Sequence, residues 1–131
     1  MKYILMMTGT KAGVDAYRAW SQSDIQAHFA FLKALNKELS ESGELVANEP
    51  LAAPEQAKVV RIGNDGLPIT DGVFPEAKEF LLGYWMVDVE TPERAYEIAA
   101  RLSGGPGPGG TRLSMPIEVR QIMGRKTDEL P

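Results

Sequence analysis

The sequence predicts an α+β fold: a ferredoxin-like split βαβ arrangement with an extra β-hairpin, assembled as a dimeric α/β-barrel. Three observations lead there. Apolar periodicity switches between strand and helix character in the order β-α-β-(hairpin)-β-α-β. Only two helices are evident, enough to cover one face of an antiparallel sheet. Two strands are nevertheless apolar on both faces, so the second face calls for another layer, and a second copy of the chain supplies one.

Residues 2 to 8, KYILMMT, are a run of β-formers closed by Gly9, and consecutive Ile4, Leu5, Met6 and Met7 make both faces apolar. Residues 10 to 22 are polar and small apart from Tyr17 and Trp20, and read as a loop with room for one short helical turn. The spacing predicts a helix over 23–42, capped by Ser23 or Asp24 and stopped by Gly43. At about 100° per residue, Ile25, Phe29, Leu32, Leu35 and Leu39 share one stripe, with Lys33, Lys37 and Glu38 off it. His28 falls inside that stripe, between Leu32 and Leu35.

A short strand follows at 44–51, and Pro54 interrupts the linker after it. The turn Asn64-Asp65-Gly66 pairs KVVRI with LPITD as a hairpin. Residues 81–89, LLGYWMVDV, are the central strand, with Tyr84 and Met86 on one face and Trp85 and Val87 on the other. Thr91 caps a second helix with Pro92 at its first position, and Ala95, Ile98, Ala99 and Leu102 follow helical spacing. The last strand spans 115–123. One domain therefore covers 1–123, and the unpatterned tail 124–131 is expected to fray.

A chain of 131 residues with 44% apolar content has single-domain length and can bury a core unaided. Its net charge of −4, without a long basic run, argues against nucleic acid and anionic membrane as partners. The lack of cysteine excludes disulfides and thiolate metal sites and fits a reducing compartment. The N-terminal apolar run of about five residues is shorter than a signal peptide needs and far shorter than a membrane span, so a cytoplasmic location is expected.

The loop SGGPGPGGTR holds a literal G-x-G-x-x-G in Gly105, Gly107 and Gly110. A dinucleotide fingerprint follows a strand and opens a helix, whereas this one follows a helix and precedes a strand. Pro106 and Pro108 also remove amide donors, so the loop reads as a mobile connection and no cofactor is expected. One histidine, no cysteine and no ligand spacing leave no metal site, and a G-x-S-x-G elbow is absent.

His28 is the sole histidine, so imidazole chemistry must run through it. It is either a locally satisfied core residue or a general base oriented by a carboxylate near the sheet. The candidate carboxylates are Asp71, at the turn before the central strand, and Asp88, which interrupts that strand beside Tyr84 and Met86. Lys78, near Asp71 and Phe74, either anchors an anionic group or pairs with Glu76 or Glu79. Tyr84 and Trp85 are either core residues or a ligand platform.

The run Asp71-Gly72-Val73-Phe74-x-Glu76-x-Lys78-Glu79, then Leu82-Gly83-Tyr84-Trp85 and Val87-x-Val89, resembles the DGPF-domain branch of the YCII-related proteins. The opening KYILMM, the stretch SESGELVANEPL and Ile117-Glu118-Val119-Arg120 resemble it too, in order over nearly the whole chain. Val73 stands where that branch has its eponymous proline, and the Gly/Pro loop is longer. The resemblance implies a homodimeric α+β barrel with a small-molecule pocket between helix and sheet. It places a His–Asp acid/base pair at His28 and Asp71 and makes Asp71 to Lys78 a pocket rim; with the reading of the residues above, Phe74, Lys78, Tyr84 and Asp88 are the expected ligand-binding residues. One branch of the wider group removes chloride from chlorinated hydroxyquinols. The implied function is either a cofactor-free acid/base enzyme or a sensor or accessory protein linked to extracytoplasmic-function sigma factors.

Overall fold

A computed structural model describes residues 1–72 and 79–124. The strands are β1 (Lys2–Gly9), β2 (Leu45–Pro50), β3 (Lys58–Ile62), β4 (Pro68–Gly72), β5 (Phe80–Asp88) and β6 (Ile117–Gln121). The helices are α1 (Lys11–Arg18), α2 (Gln22–Glu41) and α3 (Pro92–Ser103). The main sheet has the order β2-β5-β1-β6, and every neighbouring pair is antiparallel. β5 therefore lies between β1 and β2, which is the split βαβ pattern, and the α+β architecture is compatible with a ferredoxin-like fold. Within one chain this sheet is open, with β2 and β6 as its edges. β3 and β4 form the separate hairpin expected from Asn64-Asp65-Gly66. No described helix is long and apolar enough to cross a membrane.

Burial alternates along the central strands. Tyr3, Leu5 and Met7 of β1 and Trp85 and Val87 of β5 are buried in one cluster with Leu35 and Leu39 of α2 and Ala95, Ile98 and Leu102 of α3. Burying each large apolar side chain contributes roughly 1.5–3 kcal/mol. The intervening Ile4, Met6, Tyr84 and Met86 point to the other face and are only partly covered. The register sets them in two adjacent rows, Ala47–Met86–Ile4–Arg120 and Glu49–Tyr84–Met6–Glu118. Gly83 lets β2 close on β5, because a β-carbon there would lie 3.2 Å from the Glu49 carbonyl oxygen and 3.3 Å from Pro50 Cα.

Two expectations need correction. Residues 10–22 are not a loop but contain α1, whose N-cap Thr10 accepts a hydrogen bond from the Gly13 amide at 3.0 Å. Arg18 pairs with Asp15 at 3.7 Å and with Glu55 at 2.8 Å. No residue of α1 is buried, so a cap and ion pairs hold it rather than an apolar stripe. In α2 the buried stripe runs through His28, Leu35 and Leu39, flanked by Phe31 and Leu32. Phe29 lies outside it at 53% exposure, because it sits about 100° round the helix from His28.

Candidate functional site at the strand ends

β1 ends, β2 ends, and β5 and β6 begin at one end of the sheet, where Gly9 pairs with Phe80, Pro50 with Gly83, and Met7 with Ile117. α1, the first turns of α2 and the loop after α3 gather at this end. Ser21 starts α2 by accepting from the Asp24 amide at 3.1 Å, and one turn beyond Asp24 the helix presents His28.

The His28 side chain is 8% exposed, and its Nδ1 lies 3.1 Å from the carbonyl oxygen of Pro106. A carbonyl can only accept, so Nδ1 carries the proton and donates it, and in the neutral ring Nε2 keeps the lone pair. Every buried side-chain nitrogen or oxygen among the described residues has a hydrogen-bond partner. Among the described residues His28 makes only its Nδ1 hydrogen bond, so Nε2 has no partner there. Trp20 stands edge-on to the imidazole, with centroids 5.7 Å apart at 89°. Tyr17 packs on Trp20 at 5.0 Å, and burial pushes its phenol above the ordinary value. The exposed ring of Phe29, the next residue on α2, has its centroid 6.3 Å from that of the imidazole at 64°.

The Gly/Pro loop, expected as a mobile connection, is bonded along its length. The Gly107 amide donates to the Thr111 carbonyl at 2.7 Å and the Leu113 amide to the Gly105 carbonyl at 2.9 Å. The Gly109 amide donates to Asp24 Oδ1 at 3.2 Å, so α2 grips the loop at both Asp24 and His28. A β-carbon on Gly105 would lie 3.2 Å from the Phe31 ring and 3.3 Å from His28 Cε1, so the loop backbone packs directly on these side chains. Glycine and proline serve close approach here. Trp20, Asp24 and Pro106 are the site residues the sequence reading passed over. Only the place of Asp24 one helical turn before His28 offered a signal.

The other candidates fall in three places. Asp71 lies on β4, half exposed, with Oδ2 3.2 Å from Arg61 Nη2. Asp88 ends β5 at the opposite end of the sheet from Phe80, roughly 26 Å away at strand rise, and its Oδ1 accepts from the Met1 amine at 3.1 Å. Tyr84 lies on the face turned away from the helices. Phe74 and Lys78 lie outside the described residues. Among the described residues, His28 therefore meets a backbone carbonyl, while Asp71 and Asp88 each meet a cation.

A model of the YCII-related domain matches residues 1–105. An uncharacterised protein of Rhizobium meliloti (strain 1021) is 29% identical over 113 residues, covering 86% of this chain and 87% of that protein. The matched span runs from β1 through α3 to Gly105, and so takes in His28, its aromatic neighbours and the first residue of the loop that packs on it. This chain belongs to the YCII-related family.

Proposed function

We propose that the protein is a homodimeric, cofactor-free small-molecule binder in which His28 handles a proton. One observation carries the reading: Nδ1 is committed to the Pro106 carbonyl, which leaves Nε2 with its lone pair and no partner among the described residues. An imidazole held in that state can accept a proton from a phenol or similar acid and return it. Tyr17, Trp20 and Phe29 offer aromatic surface for a planar ligand beside it. Asp71, on the hairpin that leads into β5, is assigned as the partner carboxylate, to be recruited from Arg61 when ligand binds. Phe74 and Lys78 follow it in the chain and are assigned to ligand contact, Lys78 to an anionic oxygen. The resemblance of the run from Asp71 to Glu79 supports assigning the chain to the DGPF branch.

The dimer part of the proposal rests on the open sheet face. Ile4, Met6, Tyr84 and Met86 form an apolar patch there that no described helix covers, and a second copy presenting the same patch would bury both. Tyr84 and Asp88 enter the reading as residues of that face. A second reading, a sensor or accessory protein that binds without turnover, is favoured by the Arg61–Asp71 pair, and its tie to extracytoplasmic-function sigma factors rests on the family resemblance alone. A carboxylate held by a guanidinium is not free to orient an imidazole.

The test is thermal shift across a panel of phenols, hydroquinones and aromatic carboxylates, with wild type beside His28→Gln. One class should raise the wild-type melting temperature and leave the variant unmoved, since a bound ligand stabilises by mass action. A panel that shifts neither protein would sink the binding site. A stabilising ligand that is recovered unchanged after prolonged incubation would select the sensor.

A further inference from the structure

The hairpin is the part of the molecule that its own fold explains least. All of β3 is exposed, and in β4 only Asp71 is partly covered. Val59, Val60, Ile62, Leu67 and Ile69 all present large apolar side chains to solvent, Ile62 at 80% exposure. A lone two-stranded hairpin is marginal in water, and apolar exposure on this scale marks an interaction surface. The register divides the residues between two faces. Lys58, Val60 and Ile62 share one with Pro68, whereas Val59 and Ile69 share the other with the Arg61–Asp71 ion pair. The first is the face suited to burial.

A complementary hollow sits where the hairpin begins. An open cleft of about 560 Å³ lies between the segment after β2, with Leu51, Ala53 and Pro54, and the start of β5, with Phe80 and Leu81. Glu79 stands in its wall, and so does Ala57, the residue just before β3. The hairpin thus grows from the edge of the cleft.

We propose that two copies exchange hairpins, the Val60–Ile62–Pro68 face of each seating in the Leu51–Phe80 cleft of the other. Knob and hollow lie on the same chain, so one two-fold axis satisfies both at once. Their charges match as well. Lys58 borders the knob and Glu79 the hollow, and neither has an ion-pair partner among the described residues. The exchange rests on the two-copy part of the functional reading, but not on contact between the open sheet faces or on any chemistry at His28.

The chain has no cysteine, so introduced thiols report a single contact. Ile62→Cys and Ala53→Cys, made in separate chains, mixed and mildly oxidised, should give a disulfide-linked dimer. Lys37→Cys mixed with Ala53→Cys should not. In parallel, Ile62→Asp should weaken dimerisation at least about tenfold by sedimentation with unchanged circular dichroism, as expected for an apolar anchor. A wild-type dimer that sediments normally but gives no Ile62–Ala53 adduct overturns the exchange and leaves the sheet-face dimer standing. Monomer alone at micromolar concentration overturns both.

Discussion

Arg94 holds Glu44 through two parallel hydrogen bonds, Nε to Oε2 at 2.8 Å and Nη2 to Oε1 at 2.9 Å, joining α3 to the entrance of β2. The Arg94 bonds hold the Glu44 carboxyl below the ordinary carboxylate value. Burial opposes them, and a 2.8 Å bond from Ser42 Oγ adds to them. A depressed carboxyl contributes stability that is fully present above its unfolded value, near 4.5, and is lost as pH falls through the folded value. Glu44→Gln should therefore lower stability at neutral pH and flatten the loss that sets in as pH falls below the unfolded value. Urea melts across that fall in pH provide the measurement, and parallel acid slopes for variant and wild type would count against it.

Asn36 and Trp85 make the corresponding link between α2 and the sheet. The indole Nε1 of buried Trp85 donates to Asn36 Oδ1 at 2.9 Å. Asn36→Leu strands that donor and should cost about 1–3 kcal/mol. Asn36→Asp keeps an acceptor and should cost less. Equal losses in denaturant melts would mean that the contact matters for shape rather than for its hydrogen bond.

The loop that packs on His28 should resist change. Gly105→Ala forces a methyl against Phe31 and His28 Cε1, and overpacking of this kind costs about 1–3 kcal/mol. Deleting Pro108 and Gly109 removes the bond to Asp24 and disturbs the Gly107–Thr111 closure, so a loss above about 2 kcal/mol is expected. Closure entropy alone would predict almost none. A deletion that melts like wild type would show the loop to be a tether after all.

A single histidine makes the tautomer directly measurable. Nitrogen-15 spectra of the neutral ring should show the Nδ1-protonated form, as the Pro106 carbonyl requires. A spectrum showing Nε2–H instead would remove the basis of the proposed chemistry. On stability, His28→Gln retains a donor for that carbonyl, whereas His28→Leu leaves it unpaired and should cost about 1–3 kcal/mol more.

The main sheet was readable because its strands are short runs of β-formers, such as KYILMM closed by Gly9, and the two-residue period sets Tyr84 and Met86 opposite Trp85 and Val87. α1 escaped because apolar spacing detects only helices that bury a stripe, and α1 buries none. The burial of His28 was legible from its place on α2, but its partner was not, lying 78 residues further along the chain. Composition misled at that partner. Proline and glycine suggested backbone freedom and a missing amide, whereas the group that binds His28 is the carbonyl that proline keeps. Asp71 and Asp88 were visible as carboxylates, but an acidic residue's place in a sequence does not reveal which cation it will meet.

β1 is made first and completed last. Its residues pair on one edge with Phe80–Asp88 and on the other with Ile117–Gln121, so neither ladder can close until most of the chain has been synthesised. Such separations make for slow folding relative to size. Until then Tyr3, Leu5 and Met7 belong to an apolar strand with two unpaired edges, a template for the same strand of another nascent chain. α2 can form early beside it and shield one face, but the edges must wait for β5 and β6. On the ribosome, the hazardous interval runs from the emergence of β1 to the arrival of residue 121.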